Sequence, residues 1–169
     1  MRLTRKILVD ADACPVKEII TRLAKRRGIP VTKVIDTSHE LDGGYGTVIT
    51  VDKGADSADY KIAGLASPGD VVVTQDYGLA AMALAKGAKA INQDGMAYTD
   101  GNIDGLLARR YAGQKIRRGG GRTKGPRKRT KEDDERFEAA FGAMLDGGAQ
   151  SDLTAAGIEN TPGANAPRR

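Results

Sequence analysis

Five aspartates stand where a chain would place them to hold a cation: Asp10, Asp12, Asp56, Asp59 and Asp76. Asp10 and Asp12 follow the apolar run Lys6-Ile7-Leu8-Val9. In an extended exit, residues i and i+2 point the same way. Asp56 and Asp59, at i and i+3, share one face of a helix that is predicted to begin at Ala55. Asp52 closes the apolar run before that helix, and Asp76 lies just past another such run. Every one of these acids is also near a predicted helix start, where Asp is a common cap. One cap per helix suffices, so capping does not account for the group, although for Asp56 alone capping and ligation are both open. Carboxylates gathered at one point repel and raise one another's pKa, a cost that a bound divalent ion removes. With one Cys and one His in the chain, the donors are oxygens, which suit Mg²⁺ or Mn²⁺. Such ions activate water and stabilise charge at phosphorus. The expected chemistry is therefore phosphodiester hydrolysis. Asp10, Asp12, Asp56 and Asp76 are the expected metal ligands, with Asp59 as a further ligand or a partner behind them.

A second charged feature has the opposite sign. Residues 109–131 hold eleven Lys and Arg and no acid, which leaves the remainder of this +5 chain at −6. An acidic body with a basic segment suggests a nucleic-acid partner. The segment has Tyr111 as its one aromatic, so it offers charge for phosphates rather than a stacking surface for bases. Arg117, Arg118, Arg122, Lys124, Arg127, Lys128 and Arg129 are the expected phosphate contacts, and RNA is the expected partner. The plain alternative is that these cations pair with the acidic body.

The elements that must position these groups follow from periodicity. Strands are predicted at 6–9, 31–35, 47–51, 71–74 and 89–92, and helices at 15–27, 55–66, 77–86 and 102–111. In the first helix Val16, Ile19, Ile20, Leu23 and Ala24 form one apolar stripe, and Gly28 ends it. Residues 36–46 read as a loop. Strands alternating with helices imply a parallel sheet covered on both faces. The apolar runs are continuous rather than alternating, as doubly buried strands require. The expected fold is a three-layer α/β/α domain over residues 1–146 with a mainly parallel central sheet. Gly119-Gly120-Gly121 and Gly125-Pro126 make the basic segment irregular. Thr130 caps a last helix over 130–145, with Phe137, Ala140, Phe141 and Met144 as its stripe. Residues 147–169 offer little to bury and are expected to be disordered.

The 169-residue chain is long enough for one cored domain. With no Trp and two Phe, its core must be built from Val, Ile, Leu and Ala. One Cys excludes an internal disulfide framework. No apolar run reaches membrane-spanning length, and the basic start lacks a signal-peptide apolar region; the chain reads as soluble and cytoplasmic. Cys14, beside a helix start, invites a redox or nucleophilic role, but packing in a tight turn is the simpler reading. His39 lies in a polar loop and reads as a surface residue. The Gly43-Gly44-Tyr45-Gly46 run does not match a phosphate-binding fingerprint.

Several separated stretches resemble the YaiI/YqxD family of bacterial proteins: Val9-Asp10-Ala11-Asp12-Ala13-Cys14-Pro15-Val16-Lys17, Gly54-Ala55-Asp56-Ser57-Ala58-Asp59-Tyr60, and Val72-Val73-Thr74-Gln75-Asp76-Tyr77-Gly78-Leu79-Ala80. Gly101-Asn102-Ile103-Asp104 and Arg122-Thr123-Lys124-Gly125-Pro126 also match, as does the region around Phe137. The likeness spans residues 5–142 and leaves out the tail. That family is similar to the PIN-like and NYN nucleases, which share an α/β/α fold and an acidic Mg²⁺/Mn²⁺ site that cuts RNA. The resemblance implies that Asp10 is the first-strand aspartate of such a site, that Asp56 or Asp59 is the one at the helix start, and that Asp76 is the one after the fourth strand. Asp12 matches the family's own doubled aspartate. The helix-borne Glu of many PIN nucleases has no clear equivalent; Glu18 lies on the first helix.

Two other functions fit parts of the pattern. An Asp-x-Asp after the first strand also serves haloacid-dehalogenase-type phosphatases as nucleophile and general acid, although Pro15 opens a helix at once and leaves little room for their cap. A non-catalytic RNA-binding module would use the basic segment alone.

Overall fold

The computed structural model describes residues 4–36, 44–54, 56–122, 125 and 127–147. His39, Lys124 and the expected disordered tail beyond 147 lie outside the described residues. Eleven elements follow in the order β1 (Ile7–Asp10), α1 (Lys17–Arg27), β2 (Val31–Asp36), β3 (Thr47–Val51), α2 (Ser57–Leu65), β4 (Val71–Val73), α3 (Tyr77–Ala85), β5 (Lys89–Ile91), β6 (Ala97–Tyr98), α4 (Ile103–Arg118) and α5 (Lys131–Leu145).

The strands form one six-stranded sheet in the order β3-β2-β1-β4-β5-β6. β1 to β5 run parallel, and β6 pairs antiparallel with β5. From β1 the chain builds outward to β2 and β3, then returns to place β4 on the other side of β1. The strand order therefore reverses between β1 and β4. In open α/β sheets the crevice at such a reversal, beyond the carboxyl ends of the strands, is where ligands bind.

The three layers follow from side-chain alternation along the strands. Ile7, Val9, Val71 and Val73 face one side, with Ile20, Leu23 and Ala24 of α1 and Phe137, Phe141 and Leu145 of α5. Leu8, Val34 and Val72 face the other, with Ile62 of α2, Leu79 and Ala83 of α3 and Leu106 of α4. Phe137 and Phe141 stack with ring centroids 5.1 Å apart. The α/β/α sandwich expected from the sequence is the observed architecture.

Three details differ from expectation. β3 was expected to be doubly buried, but it is the sheet's outer strand and stays largely exposed, with only Ile49 and Val51 packing partly on the second core. β6 is an unexpected strand of two residues, joined to β5 by a turn in which Asn92 Oδ1 accepts from the N–H groups of Asp94 and Met96. Third, the basic segment is not irregular throughout: α4 continues through Arg118 before Gly119–Gly121 ends it. Arg, Lys, Gln and Ala are good helix formers, and Lys115, Arg117 and Arg118 lie in the last turn, where the helix dipole favours cations.

The last helix begins as expected. Thr130 Oγ1 accepts from Asp133 N, and Asp133 Oδ2 accepts from Thr130 N at 2.8 Å, a reciprocal cap.

Candidate functional site

Asp10 closes β1, and Asp76 opens α3 just beyond β4. Because β1 and β4 are neighbours, both acids reach the carboxyl edge at the reversal point. Thr74 ties them together. Its hydroxyl donates to Asp10 Oδ2 at 3.0 Å and accepts from Asp76 N at 3.0 Å. Tyr98, buried on β6, donates its own hydroxyl to Thr74 O at 3.1 Å and anchors the exit of β4 from below. A cleft of about 280 Å³ opens here, lined by Asp10, Asp12, Thr74, Gln75, Asp76 and Gln93, with Ala13, Cys14 and Val73 at its apolar side.

The turn after β1 is held in an unusual backbone shape. Ala13 sits at φ +55°, a conformation that costs non-glycine residues energy and persists where surroundings impose it. Gln75 Nε2 donates to Ala13 O at 3.3 Å and also to Gln93 Oε1, bridging the loops after β1, β4 and β5. Asp12 Oδ2 accepts from Asp36 N at 3.0 Å, which fixes this acid between the exits of β1 and β2.

The acids meet electrostatically. Burial pushes the Asp10 carboxyl above its ordinary pKa, against the Thr74 hydrogen bond that lowers it, and the charges of Asp12 and Asp76 push it further up. Asp59, in the first turn of α2, is pushed up to about 6, first by burial and then by Asp76, Asp10 and Asp56, while Arg110 opposes the rise. Asp56 precedes α2 in the left-handed region at φ +68°, and its side chain makes no cap bond. Capping therefore does not explain that aspartate. It does occupy Asp76, whose Oδ1 accepts from Leu79 N at 3.0 Å. Asp10, Asp12 and Asp76 thus share the cleft, whereas Asp56 and Asp59 stand outside its lining. Among the described residues no three acids are drawn tightly enough to encage a cation by themselves. The donor set fits Mg²⁺ or Mn²⁺ in a site of one or two carboxylates plus waters, a form that these ions accept.

Cys14 is buried, and burial raises its thiol pKa. It packs in the α1/α5 core as a small apolar residue, as the simpler reading expected. Glu18 is exposed and lies outside the cleft lining.

The basic segment divides in two. Arg117, Arg118, Arg122 and Lys128 are exposed. Arg127 and Arg129, expected on phosphates, are engaged by the fold instead. Arg127 grips Asp133 with both terminal nitrogens, at 3.0 and 2.6 Å. Arg129 binds Asp134 at 2.6 Å, Asp94 at 3.1 Å and Gln93 O at 2.8 Å. For these two, pairing with the acidic body is what the structure shows. Sequence reasoning missed Arg110, whose Nη1 donates to Asp76 Oδ1 at 3.3 Å. It also missed Thr74, Gln75 and Gln93. Arg110 lies within the helix predicted at 102–111, but nothing in the sequence signalled that this helix brings it to Asp76.

Comparison with known proteins gives a consistent family. A family model described as "Uncharacterized BCR, YaiI/YqxD family" matches residues 8–147. A UPF0178 protein of Ruminiclostridium cellulolyticum is 65% identical over 136 residues, covering 80% of this chain and 89% of that protein. One from Clostridium acetobutylicum is 53% identical over 142 residues, covering 83% and 96%. Among solved structures, a mutant of Rae1 (YacP) from Bacillus subtilis is matched at 18% identity and a TM-score of 0.39, covering 86% of this chain and 100% of that one. On the family model and on relatives this similar along most of their length, the chain belongs to the YaiI/YqxD family.

Proposed function

We propose that the protein is a metal-dependent phosphodiesterase that cleaves RNA. The observation that carries this reading is the convergence of Asp10 and Asp76 on one cleft at the β1/β4 reversal, with Asp12 beside them and Asp59 electrostatically coupled to both. Asp10 and Asp76 would hold Mg²⁺ or Mn²⁺ with waters completing the shell, and Asp12, Asp56 and Asp59 would complete the negative field around it. When bound, the ion supplies an activated water and neutralises charge at the attacked phosphorus. The chain's own residues do the rest. Thr74 orients the Asp10 carboxylate and the start of α3 at once. Gln75 and Gln93 hold the rim. Arg117, Arg118 and Arg122, exposed at and beyond the end of α4, attract the phosphate backbone. The three aspartate motifs resemble the YaiI/YqxD family, and that family's similarity to PIN-like and NYN nucleases supports the same chemistry.

The test is cleavage of an end-labelled single-stranded RNA by the full chain, with Mg²⁺, Mn²⁺ or EDTA. Cleavage that needs the metal and is lost in Asp10→Asn and Asp76→Asn is expected. No cleavage in either metal, or equal cleavage in EDTA, overturns the reading.

A further inference from the structure

Arg110 rises from α4 to the acid edge, where its Nη1 lies 3.3 Å from Asp76 Oδ1. That oxygen already accepts from Leu79 N as the cap of α3, so it does not need a guanidinium for its hydrogen bonding. The contact also lies over the first turn of α3, the positive end of that helix's dipole, where a cation is disfavoured unless carboxylates hold it. The pair passes beside Gly78, where a Cβ would lie 3.1 Å from Asp76 Oδ1 and, at ordinary contact distance, 3.9 Å from Arg110 Nη1. Arg110 is 43% exposed at its side chain, so the guanidinium can leave Asp76 by rotation of its own stem. The next turns of the same helix carry Lys115, Arg117 and Arg118, all exposed. Of these, Arg117 lies seven residues on and shares the helix face of Arg110, so a phosphate backbone led along that face passes from one to the other.

We propose that Arg110 is the substrate-binding arginine of the site: it pairs with Asp76 in the free protein and exchanges that carboxylate for a phosphodiester oxygen when a divalent cation and nucleic acid bind. This rests on the nuclease reading above. A planar guanidinium matches phosphate in fork geometry as well as charge. Because Arg110 and the cation compete for the same carboxylate, removing the arginine must affect the two ligands in opposite directions. A purely structural ion pair does not do this.

The experiment uses the full chain and three variants, Arg110→Gln, Arg110→Lys and Arg109→Gln. Mn²⁺ affinity is measured by calorimetry, and binding of a labelled decauridylate by anisotropy in Ca²⁺, a divalent cation that takes the same oxygen ligands. Arg110→Gln is expected to bind Mn²⁺ roughly threefold to fivefold more tightly and the RNA roughly tenfold more weakly. Arg110→Lys keeps the charge without the fork, folds as the parent, and is expected to fall between. Arg109→Gln, which removes a neighbouring charge, should move Mn²⁺ affinity less than about twofold. Mn²⁺ affinity that is unchanged or weaker in Arg110→Gln, or equal gains in the Arg109 and Arg110 variants, overturns the proposal, as does unchanged RNA binding. A parent chain that binds no Mn²⁺ overturns the nuclease reading and this inference together; a parent that binds it, with any of the other contrary results, overturns this inference alone.

Discussion

Asp59 is the residue in which the electrostatics of the site are most exposed to measurement. Its carboxyl is raised from 3.8 to about 6 by burial and by the charges of Asp76, Asp10 and Asp56. Between those two pH values the folded chain holds a proton that the unfolded chain has released. Stability from this group is therefore lost as pH rises through the window, and the whole penalty is present above it. Asp59→Asn should accordingly raise the metal-free folding stability at pH 7.5, by on the order of 1–2 kcal/mol after solvent screening, and the melting point with it. It should bring no gain at pH 3.5. Thermal denaturation at the two pH values checks this, and equal effects at both would mean that the carboxylate is not under electrostatic stress. Asp10 follows the same logic toward metal. Asp10→Asn keeps the shape and the Thr74 partner but removes a charge, so the protein should stay folded while Mn²⁺ affinity falls about tenfold or more. Unchanged affinity in a calorimetric titration would remove Asp10 from the ligand set. At this scale the sequence was informative about Asp10, Asp12 and Asp76, because each sits directly after an apolar run that ends at the sheet edge. It was uninformative about Arg110. That residue is separated from Asp76 by more than thirty positions, and only the packing of α4 beside α3 brings the two together.

Among the elements, the stretch from 127 to 134 behaves as a clasp. Arg129 ties the N-terminus of α5 to the β5–β6 turn through Asp134, Asp94 and Gln93 O, and Gln93 is itself a wall of the cleft. Backbone packing reinforces it, since a Cβ on Gly95, at φ +86°, would lie 2.9 Å from Arg136 O. Arg129→Ala should destabilise the fold by about 1–2 kcal/mol, whereas Lys128→Ala, exposed and outside these contacts, should stay within about 0.5 kcal/mol. Urea denaturation of the two variants checks the contrast, and equal stabilities would mean that the clasp contributes nothing. The central strands were legible from sequence because residues buried on both faces leave continuous apolar runs; Val71–Val73 is the plainest case. β3 carries the same kind of run, but its place at the sheet edge is a property of topology that composition does not encode. β6 is too short for periodicity to register, although the Asp94-Gly95 pair is a hairpin turn signal that could have flagged it.

At the scale of the whole molecule, exposed cations lie along and beyond the end of α4, while Asp10, Asp12 and Asp76 line the cleft at the β1/β4 edge. The exposed cations should govern attraction to nucleic acid, and the paired ones should not. Replacing Arg117, Arg118 and Arg122 together with Ala should flatten the log–log salt dependence of single-stranded RNA binding by up to about 2, at roughly 0.7 per phosphate contact. It should also weaken unrelated sequences alike, since phosphate contacts carry no base information. An unchanged slope would place the RNA elsewhere. No helix among the described residues is long and apolar enough to cross a membrane. The claim on which the rest depends is that the reversal point between β1 and β4 holds a divalent cation. Anomalous diffraction from a crystal soaked in Mn²⁺ tests it most directly. The expected result is an anomalous peak in the cleft within coordinating distance of the Asp10 and Asp76 carboxylates, with Arg110 displaced from Asp76; a cleft with no peak under a soak that saturates other sites, or a peak bound away from both aspartates, would contradict it.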